Sequence, residues 1–277
     1  MNHSTPDMPL RPTSIAVAPN GGHRGQRDHL AIPISAAELA ACAAACLDAG
    51  ASMIHVHVRD RDGRHLLDAG AYAEATRAIR AEVGDRLVVQ ITSESLGIYS
   101  PAEQRAVVKA TRPEAVSLAL RELAPDASEE RAFAELLDWA RAEGCAPQII
   151  LYSVEDAARL ADLARRGVAP DDLPVLYVLG RYTPGQRSAP ADLLPFLSPD
   201  APRFSQWSVC AFGAREAACV ATAAALGGHA RVGFENNLYL PDGSLARSNA
   251  DLVAAAADLI RRLGLTIATA DDLRNGG

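Results

Sequence analysis

The sequence predicts an α/β protein, a (β/α)8 TIM barrel. Three observations carry that expectation. Strand-like and helix-like segments alternate eight times along the chain. Several of the strand segments are short, near-continuous apolar runs, as burial on both faces of a parallel sheet requires. Polar residues collect where those strands end, which is where barrel enzymes carry their chemistry.

The elements run as follows. Residues 14–19 form the first strand and lead into Asn20-Gly21-Gly22-His23-Arg24. An alanine-rich helix spans 36–49, with Cys42 and Cys46 four apart on one face as small apolar groups. The second strand, 52–58, follows Asp48-Ala49-Gly50 and ends in Arg59-Asp60-Arg61-Asp62. Helix 71–83 leads to strand 86–92 and its polar end, Ser93-Glu94-Ser95. Helix 101–111 precedes strand 115–120, which carries Ser117 and then Arg121-Glu122. Helix 128–143, strand 147–152, helix 154–167 and strand 174–179 complete six strands. The sixth unit is the weakest: residues 180–185 read as a long loop before a short helix at 191–197. Strand 203–210, with Gln206-Trp207-Ser208 read as its polar end, helix 214–226, strand 230–234 and helix 249–263 close the count. A doubly wound open sheet is the runner-up. It usually carries a Gly-rich phosphate turn after its first strand, and Pro19-Asn20-Gly21-Gly22 does not match that fingerprint.

Residues 1–13 are expected to be an extended or disordered N-terminal segment, and 14–277 a single domain. The 277 residues are 49% apolar and 22% charged, ordinary for a globular protein. The net charge of −7 comes without a basic stripe, so nucleic acid is not an expected partner. No run approaches the roughly twenty apolar residues of a membrane span. Five cysteines, an odd number with no paired metal spacing and no secretory signal, point to a reduced, cytoplasmic protein.

Within the second strand, His55 and His57 are two residues apart and so point the same way. Two imidazoles at a strand mouth can hold a divalent transition metal, or can simply hydrogen-bond at a polar barrel end. Glu235 follows the eighth strand. Strands two and eight both flank strand one in a closed barrel, so these three residues share one side of the mouth. Two His and one Glu with an open fourth position is a catalytic zinc ligand set. The other reading pairs Glu235 with Arg231 or Arg59.

The chain resembles the β-keto acid cleavage enzymes. The matching segments are Ala18-Pro19-Asn20-Gly21, Ala49-Gly50-Ala51 with His55-Val56-His57-Val58-Arg59-Asp60, Pro113 to Leu118, Trp207-Ser208-Val209, Gly227-Gly228-His229, and Arg231 to Tyr239. They fall in order along nearly the whole chain. The resemblance implies a TIM barrel with one divalent metal, usually zinc, on His55, His57 and Glu235. It implies a retro-Claisen exchange in which a β-keto acid and acetyl-CoA give acetoacetate and a new acyl-CoA, and a homotetramer.

It also implies further site residues. Arg231 matches the family's catalytic arginine. The family places an aspartate after the glutamate ligand, whereas this chain has Asn236, an amide that cannot take a proton. Either another acid, Glu94 or Glu122, then serves, or the chemistry is slower or altered. Ser93 and Ser117 match positions that contact substrate oxygens, or they simply hydrogen-bond at the strand ends, and Asn20 belongs to the same mouth. Where one member recognises a cationic amine through an acid, this chain has His23 beside Arg24, which favours a neutral or anionic substrate; the other reading makes Arg24 an exposed loop charge or a contact to the CoA phosphates. Gly21-Gly22 allow close backbone approach to a ligand. His65 and His229 are expected outside the site, and Trp207 as a pocket wall or core residue. A binuclear amidohydrolase would need histidine or lysine on strands five and six, and Ile149-Ile150-Leu151-Tyr152 and Val175-Leu176-Tyr177-Val178 supply neither. A mononuclear metal-dependent hydrolase or lyase barrel is the second reading, and a non-catalytic metabolite-binding barrel is the third.

Overall fold

A computed structural model describes residues 11–276. Eight parallel strands close a barrel: β1 (Ile15–Val17), β2 (Met53–Val56), β3 (Val88–Thr92), β4 (Ala115–Ala119), β5 (Ala146–Leu151), β6 (Val175–Leu179), β7 (Trp207–Ala211) and β8 (His229–Val232). Each pairs with its sequence neighbours, and β1 closes the ring by pairing β8 with Val17 opposite Val232. β3, β4 and β6 are buried along their whole length, which is why they read as unbroken apolar runs. Helices α1 (Ala36–Ala49), α2 (Ala69–Val83), α3 (Pro101–Thr111), α4 (Glu130–Ala142), α5 (Val154–Arg165), α6 (Glu216–Ala225) and α7 (Asn249–Arg262) form the outer layer.

The helix starts follow from local chemistry. Ser35 and Ser100 cap α1 and α3 with reciprocal Glu38 and Glu103 contacts, satisfying first-turn N–H groups. The main core lies between barrel and helices, with Tyr72, Phe133, Tyr177 and Phe234 among its largest side chains. A smaller apolar cluster, Ala119, Ile150, Leu176, Val178, Cys210 and Phe212, fills the barrel interior. The five cysteines are free. No helix among the described residues is long and apolar enough to cross a membrane.

Three features depart from the sequence reading. The short helix of the sixth unit is a 3-10 helix over Pro190–Leu197, because Pro195 lies inside it and removes an N–H that an α-helix would use. A two-stranded hairpin, Val58–Arg59 against His65–Leu66, extends β2 beyond the barrel mouth. β7 starts at Trp207, so Gln206-Trp207-Ser208 lie at its N-terminal end and its mouth is Ala211-Phe212-Gly213. Trp207 therefore packs at the far end, beside Tyr177 and over Gly228. Residues 1–10 of the expected N-terminal segment lie outside the described residues. Thr13 is buried and bridges Ile267.

Candidate metal centre

Strand alternation turns His55 and His57 into the barrel mouth, and both are buried. Glu235 reaches the same point from the turn after β8. Its backbone N–H donates to Ala18 O, which ties that turn to β1. The three ligating atoms make a compact triangle. His55 Nε2 lies 3.2 Å from His57 Nε2, and Glu235 Oε2 lies 3.7 and 3.5 Å from them. A tetrahedral ion with bonds of about 2.0–2.1 Å needs its ligand atoms roughly 3.3 Å apart. The triangle fits such an ion.

The electrostatics agree. Glu235 Oε2 is buried without a hydrogen-bond partner. An unpaired buried carboxylate oxygen carries a large desolvation cost, which a cation removes. Burial acts to raise the Glu235 pKa, but Arg231 and the two histidines hold it well below the usual carboxylate range. Burial and then the Arg231 charge push His55 down to about 3, so the ring is neutral and able to ligate. Its Nδ1 pairs with Gln90 Oε1 at 2.8 Å. An N–H there leaves the lone pair on Nε2, facing the centre.

Around this triangle the structure sorts the other candidate residues. Arg231 is buried and donates from Nη2 to Glu235 Oε1 at 2.9 Å and to Asn236 Oδ1 at 3.4 Å, while its Nε and Nη1 have no partner. Arg231 is thus not left without a carboxylate, as Asn236 alone would imply: Glu235 supplies one. Glu94 lines the mouth, with Oε2 3.8 Å from His57 Nδ1 and no hydrogen bond accepted by its carboxylate among the described residues. Glu122 does not reach the site; it accepts from Ser95 N at 2.9 Å.

Several expected substrate contacts are committed to the protein itself. Asn20 donates to His57 O at 2.9 Å and to Pro33 O at 3.0 Å, holding the end of β2. Arg24 donates from Nη1 to Phe234 O at 2.6 Å and to Glu235 O at 3.2 Å, clamping the ligand turn while it borders the chamber above the triangle. Ser93 donates to Ser117 O, and the Ser117 hydroxyl faces Thr92 Oγ1 at 3.4 Å. The two serines knit neighbouring strands, and Thr92 is the residue that lines the mouth. His23 does border the chamber above the triangle; burial and then the Arg181 charge lower its pKa.

Three residues that shape the site were missed by sequence reasoning or placed outside it. His65, expected elsewhere, is buried on the hairpin with its ring 5.5 Å from that of His57, and its Nε2 is 2.7 Å from Glu94 O. Arg181, in the loop after β6, borders both the mouth and the chamber above it. Glu216 opens α6 in full burial beneath the β8 turn, where Gly233 N donates to Oε1 at 3.2 Å and Asn237 Nδ2 donates to Oε2 at 3.3 Å. Burial pushes its carboxyl up to about 8. The chamber encloses about 270 Å³. A larger cavity of about 450 Å³ opens at the opposite barrel end, but its acid, Glu114, is already paired with Arg80 and Arg274.

Comparison with known proteins points the same way. A family model described as beta-keto acid cleavage enzyme matches residues 12–276. The 3-keto-5-aminohexanoate cleavage enzyme of Fusobacterium nucleatum is 29% identical, over 94% of this chain and 95% of that protein. A 3-oxoadipate:acetyl-CoA acetyltransferase of Cupriavidus necator is 28% identical, over 95% and 94%. In fold, the chain is similar to ObcA solved with oxaloacetate, at TM-score 0.69 and 18% identity, covering 88% of this chain and 66% of that one. It also matches a type I 3-dehydroquinate dehydratase from Clostridium difficile at TM-score 0.57 and 12% identity.

Proposed function

This chain belongs to the β-keto acid cleavage enzyme family, and on that premise we propose that it exchanges a non-cationic β-keto acid with acetyl-CoA at a metal held by His55, His57 and Glu235. In the balanced reaction, the C2–C3 bond of the keto acid breaks. C2, with its carboxylate, joins the acetyl group to give acetoacetate, and the remaining acyl group joins the CoA sulfur. The observation that carries the proposal is the triangle of ligating atoms beside an arginine with two unpartnered N–H groups.

When bound, the metal, which we take to be zinc, supplies Lewis-acid polarisation of a carbonyl oxygen. The protein's own groups do the rest. Arg231 is fixed by Glu235 and Asn236 through Nη2, which leaves Nε and Nη1 without protein partners and available to a substrate oxygen without cost of reorganisation. Those two donors stabilise negative charge as it develops on the keto oxygen. Glu94, whose carboxylate accepts no hydrogen bond at the mouth among the described residues, takes the C2 proton and returns it to that carbon when the C2–C3 bond breaks. Asn236, an amide, cannot take the proton and acts by orienting Arg231. Buried Phe212, Val178 and Ile150 keep water from the reacting carbons. The free cysteines favour a reducing, cytoplasmic setting. A homotetramer is the expected assembly, to be checked by light scattering.

Elemental analysis tests the ligand set. Wild type should hold one divalent ion per chain, and His57→Ala should lose it. Full occupancy in the variant would contradict the assignment.

A further inference from the structure

The chamber above the ligand triangle is rich in guanidinium groups. Arg24, Arg59, Arg181 and Arg231 all stand around it or beneath its floor, against the carboxylates of Glu94 and Glu235. Three of these cations are committed. Arg231 binds Glu235. Arg24 binds the carbonyls of Phe234 and Glu235. Arg59 binds the carbonyls of Gly21, Arg24 and Gly63. Arg181 differs. Among the described residues its guanidinium donates no hydrogen bond, and the nearest carboxylate, Glu94 Oε1, is 3.7 Å away.

The side chain is nevertheless held. It lies over the Phe212 ring at 5.3 Å and near Tyr182 at 5.7 Å, and it is only 17% exposed. Gly180 makes the preceding turn possible, with φ of +77°, in a place where a Cβ would meet Arg187 O. The turn carries Arg181 off the end of β6 and over the mouth. A guanidinium that is half-desolvated, pre-oriented on an aromatic face and short of acceptors is suited to a planar carboxylate.

We propose that Arg181 is the specificity-determining residue of the chamber, and that it binds the distal carboxylate of a β-keto diacid. This rests on the exchange reaction proposed above and narrows its substrate class. The C1 carboxylate and keto group lie at the ligand triangle, and the acyl tail points outward into the chamber. A tail ending in carboxylate meets Arg181 there, with His23 and Gln186 beside it. A tail ending in ammonium meets an excess of like charge. The role expected of Arg24 from sequence thus passes to Arg181: Arg24 commits its Nη1 to the β8 turn, whereas Arg181 commits no donor among the described residues.

The test uses metal-loaded full-length enzyme with acetyl-CoA and three acids of one chain length: a six-carbon β-keto diacid, neutral 3-oxohexanoate and cationic 5-amino-3-oxohexanoate. Wild type should favour the diacid. Arg181→Met should lower kcat/KM for the diacid by about 10–100-fold, mainly through KM, the scale of a charge-assisted contact. The ratio of kcat/KM for the diacid to that for the neutral acid should fall by the same factor, while KM for acetyl-CoA stays within about threefold of wild type. Arg181→Lys should keep most of the diacid preference, which separates loss of charge from loss of fold. Equal wild-type rates on diacid and neutral acid, or an Arg181→Met variant whose KM rises for acetyl-CoA instead, would overturn the inference and leave the exchange reaction standing. Absence of turnover with any acid would remove the exchange reading, and this inference with it.

Discussion

Gly21→Ala should disable the metal centre without touching a ligand. Gly21 sits at φ of +62°, a left-handed conformation that costs an alanine roughly 1–2 kcal/mol. The larger effect is steric. A Cβ built there lies 2.5 Å from Glu235 Cγ and 3.1 Å from its Cβ. Ordinary carbon contacts need about 3.5 Å or more, so the carboxylate arm must retreat by roughly 1 Å. Metal sites tolerate displacements of about 0.2 Å. The backbone cannot absorb the clash easily, since Glu235 N is bonded to Ala18 O and Arg24 clamps the carbonyls of Phe234 and Glu235. Altering even the outer partners of a ligand typically costs 10–100-fold in metal affinity, and a displaced ligand should cost at least that. Chelator competition on the purified variant measures the affinity, and circular dichroism with a thermal melt confirms that the barrel has folded. A folded Gly21→Ala protein that binds metal as tightly as wild type would refute the argument that Glu235 is a ligand held in place by this glycine.

Other expectations follow from the same geometry. Arg231→Ala should abolish turnover while metal remains bound, read by paired kinetics and elemental analysis; wild-type turnover would remove Arg231 from the chemistry. Glu94→Gln should lower kcat by about 10²–10⁴-fold. Asn236→Asp should stay within a few-fold of wild type, because the proton is handled at Glu94; a large gain in the latter would return that role to position 236. Glu216 gives a pH signature. Its folded pKa, about 8, lies above its ordinary value, so the native state holds the proton longer and stability falls as pH rises from about 4.5 to 8. The full effect is at most roughly 5 kcal/mol. Glu216→Gln should flatten that dependence in denaturant titrations at pH 5 and pH 8, and an unchanged slope would show that Glu216 is not the group responsible.

Much of this architecture was legible in the sequence because barrel strands buried on both faces read as apolar runs bounded by turns. β3, β4 and β6 are of that kind, and their expected positions match to within about three residues. β7 begins later than the expected 203, since 203–206 reads as extended but enters the sheet only through Gln206 O, which accepts from Val175 N at 3.0 Å. The ligand triangle was legible because His-x-His obeys strand alternation and Glu235 follows a strand that a closed barrel must bring near. Contacts made by irregular segments were not legible. Arg181 sits in a loop without period, and whether an arginine faces a pocket or a carbonyl depends on the turn that carries it. Arg24 shows the converse, a loop cation that reads as a substrate contact and instead ties down Phe234 and Glu235. Glu216 looks like an ordinary acid at a helix start, and only packing beneath the β8 turn buries it. His65 was missed because the hairpin that folds it back on His57 is two residues per strand, too short to show alternation.

The exchange reaction itself is tested most directly by incubating metal-loaded enzyme with a β-keto acid, with and without acetyl-CoA, and following acetoacetate and acyl-CoA by mass spectrometry. Both products should appear in equal amounts, only when acetyl-CoA is present, and chelation should stop them until zinc is restored. Products that form without acetyl-CoA, or that persist at full rate after the metal is stripped, would contradict it.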